Sequence, residues 1–210
     1  MGSIKPPFKL AALLASIIST GILAPSQVEA RTVIVIDPGH GGSDNGARWY
    51  GVAEKTLNLD VAKRVEAILR KRGFLVKMTR TSDSFVSLER RAAIANAYSK
   101  SVFISIHFNA HTNRSIKGIE TFYISSKGKQ LADTVQRRLS RRISTTDRGS
   151  KKHHYAVLQK TRCPAALVEC GFISNRWECN RCVASWYKDI LAYEIASGVA
   201  SYTLAYAKRN

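Results

Sequence analysis

Apolar residues along this chain fall into two alternating periods. Residues 32–37 (TVIVID) form a continuous β-branched stretch, the pattern of a strand buried on both faces. A Gly-rich segment follows, PGHGGSDNGA over residues 38–47. From Glu54 to Arg72 the positions Leu57, Val61, Val65 and Ile68 share one helical stripe, with Lys63, Arg64 and Lys71 off it, and Gly73 ends the helix. The spacing predicts strands over 75–79 (LVKMT) and 102–107 (VFISIH), with a helix over 88–98 through Leu88, Ala92 and Ala95 between them. Residues 119–124 (IETFYI) alternate and predict an edge strand. Residues 129–142 predict a helix whose stripe is Leu131, Val135 and Leu139. A strand over 165–170 (AALVEC) and a closing helix over 187–206 complete the series. There is no internal repeat and no Pro/Ser-rich linker. The expectation is one α/β domain over residues 31–210, a sheet flanked by helices. The strand–helix–strand order requires crossovers, so the sheet should be largely parallel. Ligands of such sheets bind outside the carboxyl ends of the strands.

The first thirty residues follow a different rule. Lys5 and Lys9 precede an apolar run over residues 10–24 that ends near Val28-Glu29-Ala30. A basic start, a run of this length and a small-x-small site predict a secretory signal peptide over residues 1–30. The run is short for a membrane span, which takes about 20 residues, and an uncleaved anchor is the alternative. With 33 Lys+Arg against 15 Asp+Glu the chain carries +18, and losing two Lys and one Glu with the leader leaves +17. Such a surface attracts polyanions. Outside the cytoplasm the expected partner is a cell wall rich in carboxylates and phosphates. No zinc-finger, helix-turn-helix or RNA-recognition pattern is present, so no specific nucleic-acid contact is expected. Arg137, Arg138, Arg141 and Arg142, on the helix over 129–142, are a candidate wall-attachment patch, with a merely solvated face as the alternative.

Candidate chemistry collects at the predicted strand ends. His40 follows the first strand, His107 ends VFISIH, Glu169 stands near the end of AALVEC, and Glu54 opens the helix after the Gly-rich loop. Two imidazoles and a carboxylate form a ligand set for catalytic zinc, which leaves a fourth position for water. A remaining carboxylate then serves as general base. Each residue has a structural reading of its own: a hydrogen-bonded histidine at a strand end, or a glutamate favouring a helix N-terminus. Glu169 resists that reading most, because a carboxylate within an apolar strand is costly to bury unpaired. The glycines of the loop allow positive φ and close backbone approach. A phosphate cradle is discounted, since the loop lacks both the P-loop ending and GxGxxG spacing.

The strings VIVIDPGHGGSDNGA, EKTLNLDVAKRV, LVKMTRTSDSFVSLERRAAIANA, FISIHFNA, KGIETFYI and PAALVECGFISN resemble the zinc-dependent N-acetylmuramoyl-L-alanine amidases over nearly all of residues 33–200. The resemblance implies a single-domain, mixed but mostly parallel sheet with helices on both faces, related to zinc exopeptidases. It implies cleavage of the amide between N-acetylmuramic acid and the L-alanine of the peptidoglycan stem. It implies one Zn2+ per chain on His40, Glu54 and His107, with Glu169 as catalytic carboxylate. Asp37 is a candidate for orienting His40, or else a loop-closing residue, and Asn109 for contacting substrate or stabilising a turn.

Two features depart from the family pattern. Some members carry an inserted helix that plugs the zinc site until an activator removes it. Only ten residues separate His107 from Gly118, so an open site is expected. Cys163, Cys170, Cys179 and Cys182 fall within twenty residues, and in an exported chain one or two disulfides are expected among them, with free buried thiols as the alternative. Cys170 should face away from its neighbour Glu169. His111 and the His153-His154 pair are read as loop residues. The competing functions are a zinc peptidase acting on stem peptides and a metal-free basic binding module.

Overall fold

The β-branched runs lie side by side, as their lack of a polar face requires. The computed structural model describes residues 1–2 and 32–208, so the expected signal peptide lies, but for Met1 and Gly2, outside the described residues. The elements are β1 Val33–Pro38, β2 Arg48–Trp49, β3 Val52–Ala53, α1 Glu54–Lys71, β4 Leu75–Met78, α2 Leu88–Asn96, β5 Ser101–Asn109, β6 Ile119–Tyr123, α3 Ser126–Arg142, β7 Asp147–Lys152, α4 Ala156–Lys160, β8 Ala165–Phe172, α5 Arg176–Val183 and α6 Ser185–Ala207. Six strands form one sheet in the order β4-β1-β5-β8-β6-β7, and β2 and β3 make a short hairpin. β4, β1, β5 and β8 run parallel, β6 is antiparallel to β8, and β7 is parallel to β6. This is the single-domain, mixed and mostly parallel arrangement expected. Among the described residues no helix is long and apolar enough to cross a membrane.

Strand alternation divides the core in two. Ile34 and Ile36 of β1, Val102, Ile104 and Ile106 of β5, and Ala166, Val168 and Cys170 of β8 face α1, α3 and α6 in the larger layer. Val35, Phe103, Ala165 and Leu167 face the other way, towards Ala95 of α2 and Val157 and Leu158 of α4. Period-2 counting carries Asp37, Ser105, His107 and Glu169 onto this second, thinner face. These polar residues gather at the carboxyl ends of the strands, where Leu88 of α2 and Val157 of α4 also reach.

Two expectations need correcting. Residues 119–124 do not lie at the edge, because β7 pairs outside β6. β7 reads DRGSKK and has no apolar alternation to announce a strand. Its lysines suit an edge, where charge discourages pairing with another chain. Leu88 does not share the buried stripe of α2. It is 46% exposed, and Arg91 joins Ala92 and Ala95 on the inner face instead.

Arg91 is buried because Asp37 is. Its Nη1 donates to Asp37 Oδ1 at 2.7 Å, and the same carboxylate accepts from Thr79 Oγ1 at 2.6 Å and Ser105 Oγ at 2.7 Å. The guanidinium also reaches the carbonyls of Pro38 and His40, at 2.7 and 2.8 Å. Removing one partner would strand a buried charge, which typically costs about 3–5 kcal/mol. Arg91→Ala should therefore lower unfolding free energy by that amount in urea titration, and Arg91→Ala with Asp37→Asn should recover a good part of it.

Candidate metal centre and catalytic cavity

Sheet register builds half of the site. His107 of β5 is the direct neighbour of Glu169 on β8, and Glu169 is in turn paired with Glu120 on β6. The other half comes from chain that wraps over the strand ends. After β1 the loop 39–47 turns back and hands over to the hairpin, and the Glu54 amide donates to Ala47 O at 2.9 Å, so α1 begins over the strand ends. The Glu54 carboxylate then lies between two imidazoles. His40 Nε2 is 3.1 Å from Oε2, and His107 Nδ1 is 2.9 Å from Oε1. The amides of Ala47 and Phe108 and the side-chain amide of Asn58 donate to the same carboxylate at 2.9, 3.2 and 3.2 Å.

Backbone shape serves this convergence. His40 itself adopts φ 58°, a left-handed conformation that costs a non-glycine residue about 1–3 kcal/mol unless its surroundings enforce it. They do so through the Arg91 bond to its carbonyl and through Asp44, whose Oδ2 lies 2.7 Å from His40 Nδ1. Gly39 is required for space rather than for φ, since a Cβ there would stand 2.1 Å from the His107 ring. At Gly46, φ 61°, a Cβ would stand 2.5 Å from Glu54 Oε2.

The environment drives the two central carboxylates apart. Burial alone would raise the Glu54 carboxyl, but its bonds to His107 and His40 outweigh it and hold Glu54 well below the usual carboxylate range. Glu169 moves the other way: burial, with Glu54 and Glu120 adding repulsion, pushes it well above that range. His40 is lowered by burial, yet Glu54 and Asp44 overcome this and leave it raised.

The donor atoms of His40, Glu54 and His107 all lie within 4.8 Å of one another. Two imidazoles, an ionised carboxylate and a carboxylate on the outer nitrogen of one ligand are the donor set and support that a catalytic zinc site uses. These residues fit such an ion. They line a cavity of about 400 Å³ with Phe108, Asn109, Leu88, Tyr155, Val157 and Glu169. One oxygen of Glu169, Oε2, is buried without a hydrogen-bond partner. A cavity of about 530 Å³ at the amino ends of β1, β4 and β5, lined by Thr32, Phe74, Leu75 and Leu204 among others, brings in no carboxylate, imidazole or thiol. No helix occurs between β5 and β6, where a plugging insertion was considered.

The structure brings His40, Glu54, His107 and Glu169 together. It gives Asp37 other partners: the carboxylate is held by Arg91, Thr79 and Ser105, one step of the register below His107, and Asp44 takes its expected place beside His40. Asn109 lines the cavity, but both ends of its amide are engaged, Nδ2 donating to Glu120 at 2.9 Å and Oδ1 accepting from Ala110 N at 2.7 Å. His111 accepts from Asn113 N, His153 packs on Tyr155, and His154 lies against Gln159. The four cysteines are free, against the expectation of disulfides. Cys163 lies in the thinner core layer while Cys170, Cys179 and Cys182 lie in the larger one, so the sheet separates it from the other three. On α3, Glu194 of α6 engages two of the four arginines of the expected patch, Arg138 at 2.9 Å and Arg142 at 3.7 Å.

Three participants had no signal strong enough to single them out. Glu120 is buried and accepts from Lys151 at 2.5 Å and Arg148 at 3.3 Å, and its only mark in the sequence is an acid within IETFY. Arg80 donates to the carbonyls of Pro38 and Gly39 at 3.0 and 2.8 Å. Tyr155 stands in the cavity wall with its hydroxyl pushed up to about 12, by burial first and then by Glu169, Glu120 and Glu54.

The sequence profile of N-acetylmuramoyl-L-alanine amidase matches residues 34–201. The chain is 39% identical over 173 residues to "N-acetylmuramoyl-L-alanine amidase LytC" of Bacillus subtilis, a match covering 80% of this chain and 35% of that protein. It is 37% identical over 172 residues to "Probable cell wall amidase LytH" of Staphylococcus aureus, covering 80% and 57%. It thus spans about a third to just over half the length of these relatives. Among solved structures, N-acetylmuramoyl-L-alanine amidase AmiC2 of Nostoc punctiforme superimposes with a TM-score of 0.78 at 37% identity, over 81% of this chain and 96% of that one. The matched span holds the whole cluster just described, and the chain belongs to the N-acetylmuramoyl-L-alanine amidase family.

Proposed function

We propose that this chain is an exported peptidoglycan amidase that hydrolyses the amide joining N-acetylmuramic acid to the L-alanine of the stem peptide. The observation that carries the reading is the lone oxygen of Glu169, buried without a partner in the same cavity as the His–Glu–His cluster. Family membership supplies the substrate class. Export rests on the leader-like residues 1–30, with residues 31–210 as the catalytic domain, and on relatives named as cell wall amidases.

His40, Glu54 and His107 would hold one zinc ion. Bound there, zinc supplies Lewis acidity, which polarises an amide carbonyl and acidifies water. Asp44 holds the outer nitrogen of His40, so the ring keeps its orientation. Glu54 is fixed by three donors besides the imidazoles and stays ionised. Glu169 does the proton work. Its carboxylate, with one oxygen left free of partners in the cavity, accepts a proton from the attacking water and then delivers it to the leaving nitrogen of L-alanine. Leu88, Tyr155 and Val157 give the cavity an apolar wall that limits water around the reacting amide.

Glu169→Gln should retain bound zinc and lose about a hundredfold or more in turnover; zinc content by elemental analysis with dye release from labelled walls reads both, and full activity would remove Glu169 from the mechanism. His40→Ala and His107→Ala should each hold well under one equivalent of zinc after dialysis. Mass spectrometry of products from purified muropeptides separates the amidase from a stem-peptide peptidase: intact stems with a free L-alanine amine support the amidase, and shortened stems refute it.

A further inference from the structure

The α5 face carries cations and aromatic rings with few counter-charges. The Arg181 guanidinium lies 4.4 Å from the Trp177 ring, 5.6 Å from Trp186 and 4.8 Å from Tyr187. Lys117 stands 5.3 Å from Trp177, Arg176 lies 4.7 Å over Tyr50, and Arg114 lies 5.0 Å over Trp49. Trp177 and Trp186 are 50% and 53% exposed, unusual for indoles. None of these four cations makes an ion pair among the described residues. The acid of α5, Glu178, is turned inward, where it accepts from the amides of Gly118 and Phe172 at 3.0 and 2.8 Å.

The face is joined to the cavity wall through its loops. Its loops leave from Ala110, in the cavity wall, and from Phe172, at the end of the strand that carries Glu169. They are tied to each other and to the hairpin: His111 N donates to Ser174 Oγ at 2.9 Å, Asn175 Nδ2 to Arg114 O at 2.8 Å, and Tyr50 Oη to Ser174 O at 3.0 Å.

The geometry points to a docking surface for the anionic glycan polymer on either side of the cut stem, with sugar rings on the two indoles and stem carboxylates on Arg114, Lys117, Arg176 and Arg181. The inference rests on the amidase reading and names how the polymer is gripped beyond the reacting amide. Polarised C–H bonds on a pyranose face suit the negative face of an indole. Guanidiniums without an ion pair beside those rings suit carboxylates, although Arg181 also donates to Ser144 O at 2.8 Å, and the cations already stacked there lose little freedom on binding. Other polyanions, single-stranded nucleic acid included, would also meet rings and cations. Attachment of these loops to the wall of the catalytic cavity favours the polymer that the cavity cuts.

The test is cosedimentation of the full chain, carrying Glu169→Gln so that nothing is cut, with peptidoglycan stripped of phosphate-bearing polymers. Trp177→Ala with Trp186→Ala and, separately, Arg114→Gln with Arg176→Gln should each weaken binding about fivefold or more, with an unchanged melting temperature, and the arginine pair should reduce the salt dependence. Soluble glycan–peptide fragments should displace the parent protein. Unchanged sedimentation in both pairs would overturn the inference. So would displacement by a single-stranded oligonucleotide but not by glycan fragments. The product assay on unmodified protein is independent: failure to release stem peptides sinks the amidase reading, while sedimentation still reports on the surface.

Discussion

Two buried guanidiniums hold the site's least regular segment. Arg80 and Arg91 between them take the carbonyls of Pro38, Gly39 and His40, the stretch in which the chain leaves β1 and turns back towards α1. A loop so rich in glycine has many accessible conformations, and ordering it costs entropy. Arginine suits the task because one rigid fork satisfies several carbonyls at once, and Asp37 beneath it supplies the compensating charge. The strained backbone of His40 persists on these terms. Without them the imidazole would have no fixed direction, and Glu54 would lose one of the two partners that keep it ionised.

That arrangement explains why chemically alike carboxylates differ so much. Glu54, Glu120 and Glu169 are all buried near one cavity, yet each has a different set of partners. Glu54 has imidazoles and amides; Glu120 has Lys151, Arg148 and Asn109; Glu169 has one oxygen with no partner at all. Separation of proton affinities by environment marks acid–base roles in enzymes generally. Here it follows from sheet register, since Glu120, Glu169 and His107 sit on adjacent strands while their satisfying groups arrive from β7, α1 and the loop.

The long buried strands and the amphipathic helices were legible because period alone distinguishes them: β1, β5, β8, α1 and α3 form where their apolar residues require. The placement of His40, Glu54, His107 and Glu169 at the strand ends followed from the same reading. What stayed hidden was polar. β7 has no apolar alternation, and its strand exists because β6 has a free edge to offer. Arg91 on the inner stripe of α2 was masked by Leu88, which the periodicity placed inside and which stands at the cavity mouth instead. Asp44 replaced Asp37 beside His40 because a tight loop brings position i+4 to the ring, a closeness that strand spacing does not reveal.

The unbridged thiols carry a consequence of their own. Cys170 and Cys182 lie wholly in the larger core layer, and burial pushes both well above the ordinary thiol range, so they stay protonated and inert. No covalent staple links the strands to the last helices, and packing alone must keep them closed. The same sulfurs become alkylatable only when the layer opens, which makes them an internal clock for the rate at which the core breathes.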